Sequence, residues 1–316
     1  MSDEYNPALN VIGHINKYYV PIFLCLSLLG NSLSVYVLLC TKLRYNLSSI
    51  YLGALAMSDI GVLVTVFVRW FRQMEIITQE CWLILWLGLQ YLFCFLSVWI
   101  VVTFTVQRYI VIKWPLFRRS LCTVKRAIII LTGLAGLAVL FSIPWYIVSS
   151  NFFCMRFNTK DDITNLKFWK TILSTIHTII SFVLPATMVV AFNTLIMYNI
   201  RKQNRIRRNL ILSSSASNEE TQRSDNEASH IAVTKMLVVI SSLFICLNVP
   251  IEVVTLCSSY GIRNIYITIL MEIGNYLFII NYGINFVLYC AAGRNFRREL
   301  ICMFRKHSDS RREDVE

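Results

Sequence analysis

Two carboxylates stand where almost nothing else is charged. Asp59 is the only charged side chain between residues 46 and 68, and Glu252 the only one between residues 236 and 262. An ionisable group inside an apolar segment is costly, and it is kept where it binds a cation, moves a proton or joins helices. Other oxygen-bearing residues fall at about the depth of Asp59 in their own apolar stretches: Asn31, Ser97, Asn281 and Asn285. Asn281 and Asn285 are one helical turn apart and share a face. A hard cation takes oxygen ligands of this kind, so Asp59, Ser97, Asn281 and Asn285 form a candidate Na+ site. A purely structural set of interhelical hydrogen bonds is the alternative.

Glu252 follows Pro250 by two residues, and that proline removes a backbone hydrogen bond and should kink its helix. A carboxylate there would attract a basic ligand group, or else form an ion pair with Arg69. Arg69 and Arg72 close one apolar stretch and Glu272 opens another. The four histidines (His14, His177, His230, His307) are scattered. No HExxH, GxSxG or phosphate-binding loop is present, so the chain is not expected to be an enzyme.

The segments that hold these residues are set by the bilayer. The chain has 316 residues, 56% of them apolar and 15% charged, with a mean hydropathy of +0.58. An ordinary soluble domain runs at roughly 45–50% apolar and about 25% charged. About 20 apolar residues are needed to cross a hydrocarbon core, because lipid cannot satisfy an open backbone. Seven such spans are expected, at 18–41, 46–72, 81–112, 126–150, 169–200, 231–259 and 265–290. The fold class is therefore an all-α membrane protein, a seven-transmembrane helix bundle over 18–290. An N-terminal segment (1–17) precedes it, and an amphipathic helix and tail (291–316) follow. Repeated halves with broken helices, the mark of many transporters, are not visible.

Of the 30 Lys and Arg residues, 22 lie on the side of the C-terminus and 8 on the other. Positive charge gathers in the cytoplasm, which puts the N-terminus outside, in the plasma membrane. The net charge of +12 is thus a topology signal, and nucleic acid is not an expected partner. The acidic start lacks the basic region and cleavage site of a signal peptide. Cys81 and Cys154 fall at outer helix ends or loops, in an oxidising compartment, and are expected to pair. Phe296, Leu300 and Phe304 recur every four residues among basic ones, as in a helix lying on the anionic inner leaflet. Cys302 on that helix is a candidate for lipidation. The Ser/Asn/Glu-rich stretch 213–229 reads as flexible.

These motifs resemble the rhodopsin-like (class A) G-protein-coupled receptors over about residues 18–305. The residues that carry the resemblance are Gly30-Asn31, Leu55-Ala56-Met57-Ser58-Asp59, Gln107-Arg108-Tyr109, Trp114-Pro115-Leu116, Pro185, Phe244 with Pro250, and Asn285 followed by Tyr289. The resemblance implies an activation switch in Gln107, Arg108, Tyr109, Asn248, Pro250, Asn285 and Tyr289. Arg108 would meet a heterotrimeric G protein when the sixth helix swings outward, and arrestin and a receptor kinase would be further partners. The same resemblance gives Asp59, Ser97, Asn281 and Asn285 to an allosteric Na+, with no other cofactor. The departures are specific. Asn248 stands where the family has a toggle Trp, Phe286 replaces the Pro of NPxxY, and the fourth span lacks its usual Trp.

The ligand classes narrow in the same way. Amine receptors carry an Asp eighteen residues before the motif Arg, where this chain has Gln90, and opsins carry a Lys where it has Ile279. Gln90, the Asn248–Pro250 pattern and Asn285-Phe286 resemble neuropeptide receptors, particularly invertebrate FMRFamide-type ones. The expected ligand contacts are Arg69, Arg72, Gln90, Tyr91, His177, Glu252, Glu272, Asn275 and Tyr276. A lipid- or odorant-sensing receptor, or one working mainly through basal activity, is the alternative. Gln107 replaces the acid that normally restrains Arg108, and His230 stands where many members have a second acid, so basal signalling should be raised. Gln107→Glu is expected to lower second-messenger output in ligand-free cells; an unchanged level at equal surface expression refutes this.

Overall fold

The computed structural model describes residues 7–76, 80–114, 123–154, 160–211, 219–262 and 264–313. These form eight helical units with no strand among the described residues. The first helix, α1, begins at Pro7–His14, passes through a π-turn at Ile15–Tyr19, continues as Val20–Val35 and ends in a second π-turn at Tyr36–Cys40. Then come α2 (Leu47–Gln73), α3 (Glu80–Lys113) and α4 (Val124–Cys154). Helix α5 is built from Lys160–Thr178, a π-turn at Ile179–Val183, and Leu184–Ile211. Helix α6 is Glu219–Ser259, and α7 is Ile265–Gly283 followed by Asn285–Ala292. Helix α8 is Arg294–Glu313. Seven of these helices, α1 to α7, are long and apolar enough to cross a membrane.

The end of the bundle that carries the start of α1 is called upper here, and the end that carries α8 lower. Helix α3 is the axis: it packs against α2, α4, α5 and α6, while α7 closes the ring against α1, α2 and α6. At 34 residues and 1.5 Å per residue, α3 is about 51 Å long, enough to cross the bilayer core and reach beyond it. Large apolar side chains such as Ile22, Leu26, Ile129 and Leu140 point outward from α1 and α4, as they must where the solvent is lipid.

The two larger of three apolar clusters fill most of the interior. The lower one stacks Tyr51 on Phe104 with ring centroids 5.4 Å apart, and gathers Leu52, Leu55, Leu237, Ile240 and Tyr289 around them. The upper one joins α1, α2 and α7 through Leu24, Val62, Leu63, Val66, Ile279 and Tyr282. Gly274 lets α7 approach the backbone of α6: a Cβ there would lie 3.0 Å from Ile251 Cα.

Irregularities have local causes. Pro185 lacks an N–H and clashes with the carbonyl four residues back, which is Ser181. The π-turn at Ile179–Val183 absorbs that mismatch. Helix α7 is interrupted at Ile284 although Phe286 occupies the proline position. Asn31 supports the helix there, donating to the carbonyl of Tyr282 at 3.0 Å. The turn into α8 is held by Arg297, whose Nη1 donates to the carbonyls of Cys290 at 2.8 Å and Ala291 at 2.6 Å. A cation there also complements the helix C-terminus.

Two expectations change. Lys17 does not mark the start of the first helix, which already runs from Pro7; its ammonium lies 5.4 Å from the Tyr18 ring, so the long side chain reaches outward and does not break the helix. The stretch expected to be flexible is helical from Glu219 onward, continuous with the apolar part of α6. Residues 212–218 lie outside the described ones. So do the side chains of Cys81 and Cys154, and with them the expected disulfide.

Candidate functional site

Midway through the bundle Asp59 is fully buried. Ser97 Oγ, on α3, donates to its Oδ1 at 2.7 Å, and Asn285 Nδ2, on α7, donates to its Oδ2 at 2.6 Å. A buried carboxylate needs such donors to offset its lost hydration. The interruption at Ile284 starts the last segment of α7 at Asn285, the residue that turns to Asp59. Asn281 lies one turn above and is buried, as is Asn31, whose Nδ2 also donates to the carbonyl of Ser27 at 3.0 Å. Asn31 Oδ1 has no hydrogen-bond partner among the described residues. Asn285 thus turns its amide nitrogen to Asp59, and the oxygens that a hard cation could take here are those of Asp59 and Ser97 with the amide oxygens of Asn281 and Asn285. No cluster of three His, Cys, Asp or Glu residues suited to a softer metal occurs among the described residues.

In the upper half Glu252 is half-buried, and Thr178 Oγ1 donates to its Oε2 at 3.2 Å. The proposed alternative partner does not bind it: among the described residues no ion pair joins Arg69 to Glu252. Arg69, half-buried on α2, lies instead within electrostatic reach of Glu272 and Tyr91. Arg72 sits in the last turn of α2, with its carbonyl accepting from Glu75 N at 2.8 Å.

Tyr91 and His177 belong to an aromatic box that includes two residues sequence reasoning missed. Tyr91 stacks on Trp145 at 4.2 Å. His177 meets Tyr91 edge-on at 4.8 Å and Trp145 at 5.9 Å, and stacks on Phe141 at 5.8 Å. His177 Nε2 is buried without a hydrogen-bond partner among the described residues. Gln90 and Asn275 are half-buried and make no hydrogen bond among the described residues.

Glu272 and Tyr276 are engaged differently. Asn16 of α1 donates from Nδ2 to Glu272 Oε2 at 3.4 Å, Tyr276 Oη donates to Asn16 Oδ1 at 3.0 Å, and Trp70 Nε1 donates to the Asn16 carbonyl at 2.7 Å. This network ties the upper ends of α1, α2 and α7. Asn16 fell in the segment assigned to the N-terminal tail; the only signal for it was the apolar periodicity of Val11 and Ile15 ahead of Lys17.

At the lower end Arg108 is 4% exposed. Its Nη2 donates to Ser48 Oγ at the start of α2, and its guanidinium carbon lies 4.8 Å from the Phe104 ring centroid. Gln107 Oε1 is buried with no partner among the described residues. Tyr109 packs against Ile196, Ile200 and Phe192, and Lys113 Nζ donates to its hydroxyl at 2.8 Å. Tyr289 is buried against Phe296, and its hydroxyl has no partner among the described residues. Asn248 bonds within its own helix, Nδ2 to the carbonyl of Phe244 at 2.8 Å. Asn193 of α5 donates to Ser241 Oγ of α6 at 2.7 Å. Cys302 is exposed with a free thiol. The His230 side chain lies outside the described ones.

The family model of the 7 transmembrane receptor (rhodopsin family) matches residues 30–289. Sex peptide receptor-related protein 2 of Caenorhabditis elegans is 26% identical over 247 residues, 67% of this chain and 52% of that protein. The FMRFamide receptor of Drosophila melanogaster is 24% identical over 230 residues, 68% of this chain and 38% of that protein. The thyrotropin-releasing hormone receptor of Gallus gallus is 26% identical over 302 residues, 86% of this chain and 74% of that protein. The chain spans about half the length of several curated relatives it matches.

Asn16 and Asn275 separate structural from available polar groups. Asn16→Ala is expected to lower thermal stability in detergent by on the order of 1–3 kcal/mol, because Glu272 and Tyr276 lose their partner. Asn275→Ala is expected to change it by less than about 0.5 kcal/mol. Equal thermal shifts for the two refute this assignment.

Proposed function

The chain belongs to the rhodopsin family of seven-transmembrane receptors, and on that premise we propose that it binds a neuropeptide at its outer face and activates a heterotrimeric G protein. As a member of that family it is a multi-pass membrane receptor and not an enzyme. The observation that carries the ligand reading is Glu252: a carboxylate in the upper half of α6 that, among the described residues, is bonded only by a threonine hydroxyl. It is suited to an Arg side chain or an amino terminus. The box of Tyr91, Phe141, Trp145 and His177 is suited to an aromatic side chain of the same ligand. Gln90, Asn275, Arg69 and Arg72 supply further polar contacts, whereas Glu272 and Tyr276 act mainly by holding α1 against α7. Relatives named for peptides and a hormone support this class. The excess of Lys and Arg at the lower end supports a plasma-membrane receptor with its N-terminus outside.

The switch follows from the contacts. Engaging Glu252 draws its oxygen from Thr178 and biases α6 just past Pro250, where the helix has lost a backbone bond. Outward movement of the lower half of α6 must break the Asn193–Ser241 bond. It opens the space in which Arg108, leaving Ser48, meets the G protein. Tyr289, whose hydroxyl has no partner among the described residues, gains one in the open form, and Asn248, bonded within its own helix, breaks no side-chain bond to another described helix. Such a bundle has two packings whose balance the ligand shifts. The donor set around Asp59 suits Na+, which when bound would neutralise the buried charge and favour the closed packing; Asp59, Ser97, Asn281 and Asn285 would hold it. Arrestin and a receptor kinase are the further partners, and Cys302 the lipidation site.

Glu252→Gln is expected to weaken the response of expressing cells to its peptide agonist about tenfold to hundredfold, the value of about 1.5–3 kcal/mol for a hydrogen bond to a charged group. A response to that peptide unchanged in Glu252→Gln removes Glu252 from the contact set, and silence across an amidated neuropeptide library at verified surface expression turns the reading to a lipid or odorant ligand. Ser48→Ala is expected to raise ligand-free signalling, and by less when Gln107→Glu is also present, because the introduced carboxylate then restrains Arg108. Equal increments in both backgrounds refute a shared restraint.

A further inference from the structure

At the lower end a groove of about 880 Å³ runs between the foot of α1, the turn that follows it and the outer side of α8. Its walls are built and not merely exposed. Thr41 Oγ1 donates to the Val37 carbonyl at 2.6 Å and accepts from Leu43 N at 3.2 Å, which fixes the 3-10 turn Lys42–Tyr45 onto the end of α1. Leu43 is buried in the core, so Lys42 and Arg44 on either side of it project outward together. Arg44 is braced by Tyr45: its Nη2 donates to Tyr45 Oη at 2.6 Å, and its guanidinium carbon lies 4.8 Å from the ring centroid. The opposite wall is set by Phe296, buried against Phe286 and Tyr289, and by the Arg297 bonds to the end of α7.

The lining has two chemistries. Lys42 and Arg44 carry two positive charges against one negative charge on Glu299, and among the described residues no ion pair joins Glu299 to either. Tyr36, Met303 and Phe304 line the apolar part, with Tyr36 51% and Phe304 58% exposed. Cations at a helix foot beside uncovered aromatic side chains match a molecule with an anionic head and an acyl chain, at the depth where headgroups meet hydrocarbon. Cys40 and Cys302 also line the groove, so a thioester-linked acyl chain is a second source of hydrocarbon. A thioester carries no charge and would bring no anion to Lys42 and Arg44.

We infer that this groove binds an anionic phospholipid of the inner leaflet, its phosphate taken by Lys42 and Arg44 and its acyl chain laid along Tyr36, Met303 and Phe304. The inference rests on the orientation proposed above, which puts the lower end in the anionic leaflet, and not on the identity of the receptor's ligand. Bound there, the lipid bridges α1 and α8.

The test uses the purified full chain in nanodiscs containing phosphatidylcholine and phosphatidylserine, with lipid retained after mild detergent release counted by native mass spectrometry. The expected result is about a tenfold preference for phosphatidylserine, the order expected of two basic groups near an anionic surface. The double variant Lys42→Gln with Arg44→Gln is expected to lose that preference, and Lys202→Gln with Arg205→Gln, on α5 at the same end, to keep it. Glu299→Gln is expected to raise retention, a gain that misfolding cannot produce. Equal retention of the two lipids by wild type, or a preference that survives the double variant, overturns the inference. So does adduct mass that is covalent and absent from Cys302→Ser with no phosphatidylserine bound, which would give the groove to the chain's own thioester. Failure of any peptide to activate the receptor leaves this result untouched.

Discussion

A single buried carboxylate sets the terms for the rest of the bundle. Asp59 is fully buried, and a charge in that position is tolerable only if neighbouring helices bring donors to it. Ser97 and Asn285 do so from α3 and α7, which makes the carboxylate the joint of three helices. The geometry is demanding because a hydrogen bond of that length allows little sliding of one helix past another. The interruption of α7 at Ile284 is part of the same joint, since it starts a new helical segment at Asn285. A chain without proline at that position reaches the break by another route, with Asn31 reaching across from α1 to the Tyr282 carbonyl.

The ends of the bundle are joined differently. At the upper end polar groups divide, among the described residues, into those already joined, as Asn16 with Glu272, Tyr276 and Trp70, and those that are not, as Gln90 and Asn275. In hydrocarbon the usual apolar driving force between helices is absent, so interhelical hydrogen bonds and close packing carry more of the weight. A binding pocket in such a bundle is assembled from what the architecture has left unsatisfied. Among the described residues Glu252 has one donor, Thr178, and His177 Nε2 has no hydrogen-bond partner; the proposed pocket uses both. At the lower end Arg108 donates to Ser48 Oγ, beside the uncharged Gln107.

Some of this was open to sequence reading. Asp59 and Glu252 announced themselves because each is alone in a long apolar run, and the seven spans followed from the length a bilayer imposes. Periodicity placed Phe296, Leu300 and Phe304 on one face of α8. Asn16 escaped because a boundary was drawn at Lys17, and a lysine can stay in a helix by extending its ammonium to water. Trp145 and Phe141 escaped because an aromatic residue in an apolar span carries no sign of which way it faces. Ser48 escaped because a small hydroxyl residue near a helix start reads as an ordinary turn residue.

What the chain determined by itself was set by solvent: number of spans, the gathering of basic residues at one end, and which ionisable groups must be sheltered. These depend on composition along the chain, and lipid and water act on each segment separately. What tertiary structure alone decided was pairing. That Arg69 leaves Glu252 to Thr178, that Asn16 claims Glu272 and Tyr276, and that Arg108 rests on Ser48 all depend on helix rotation and depth. Those are settled by packing side chains from several helices at once, and no single segment encodes them.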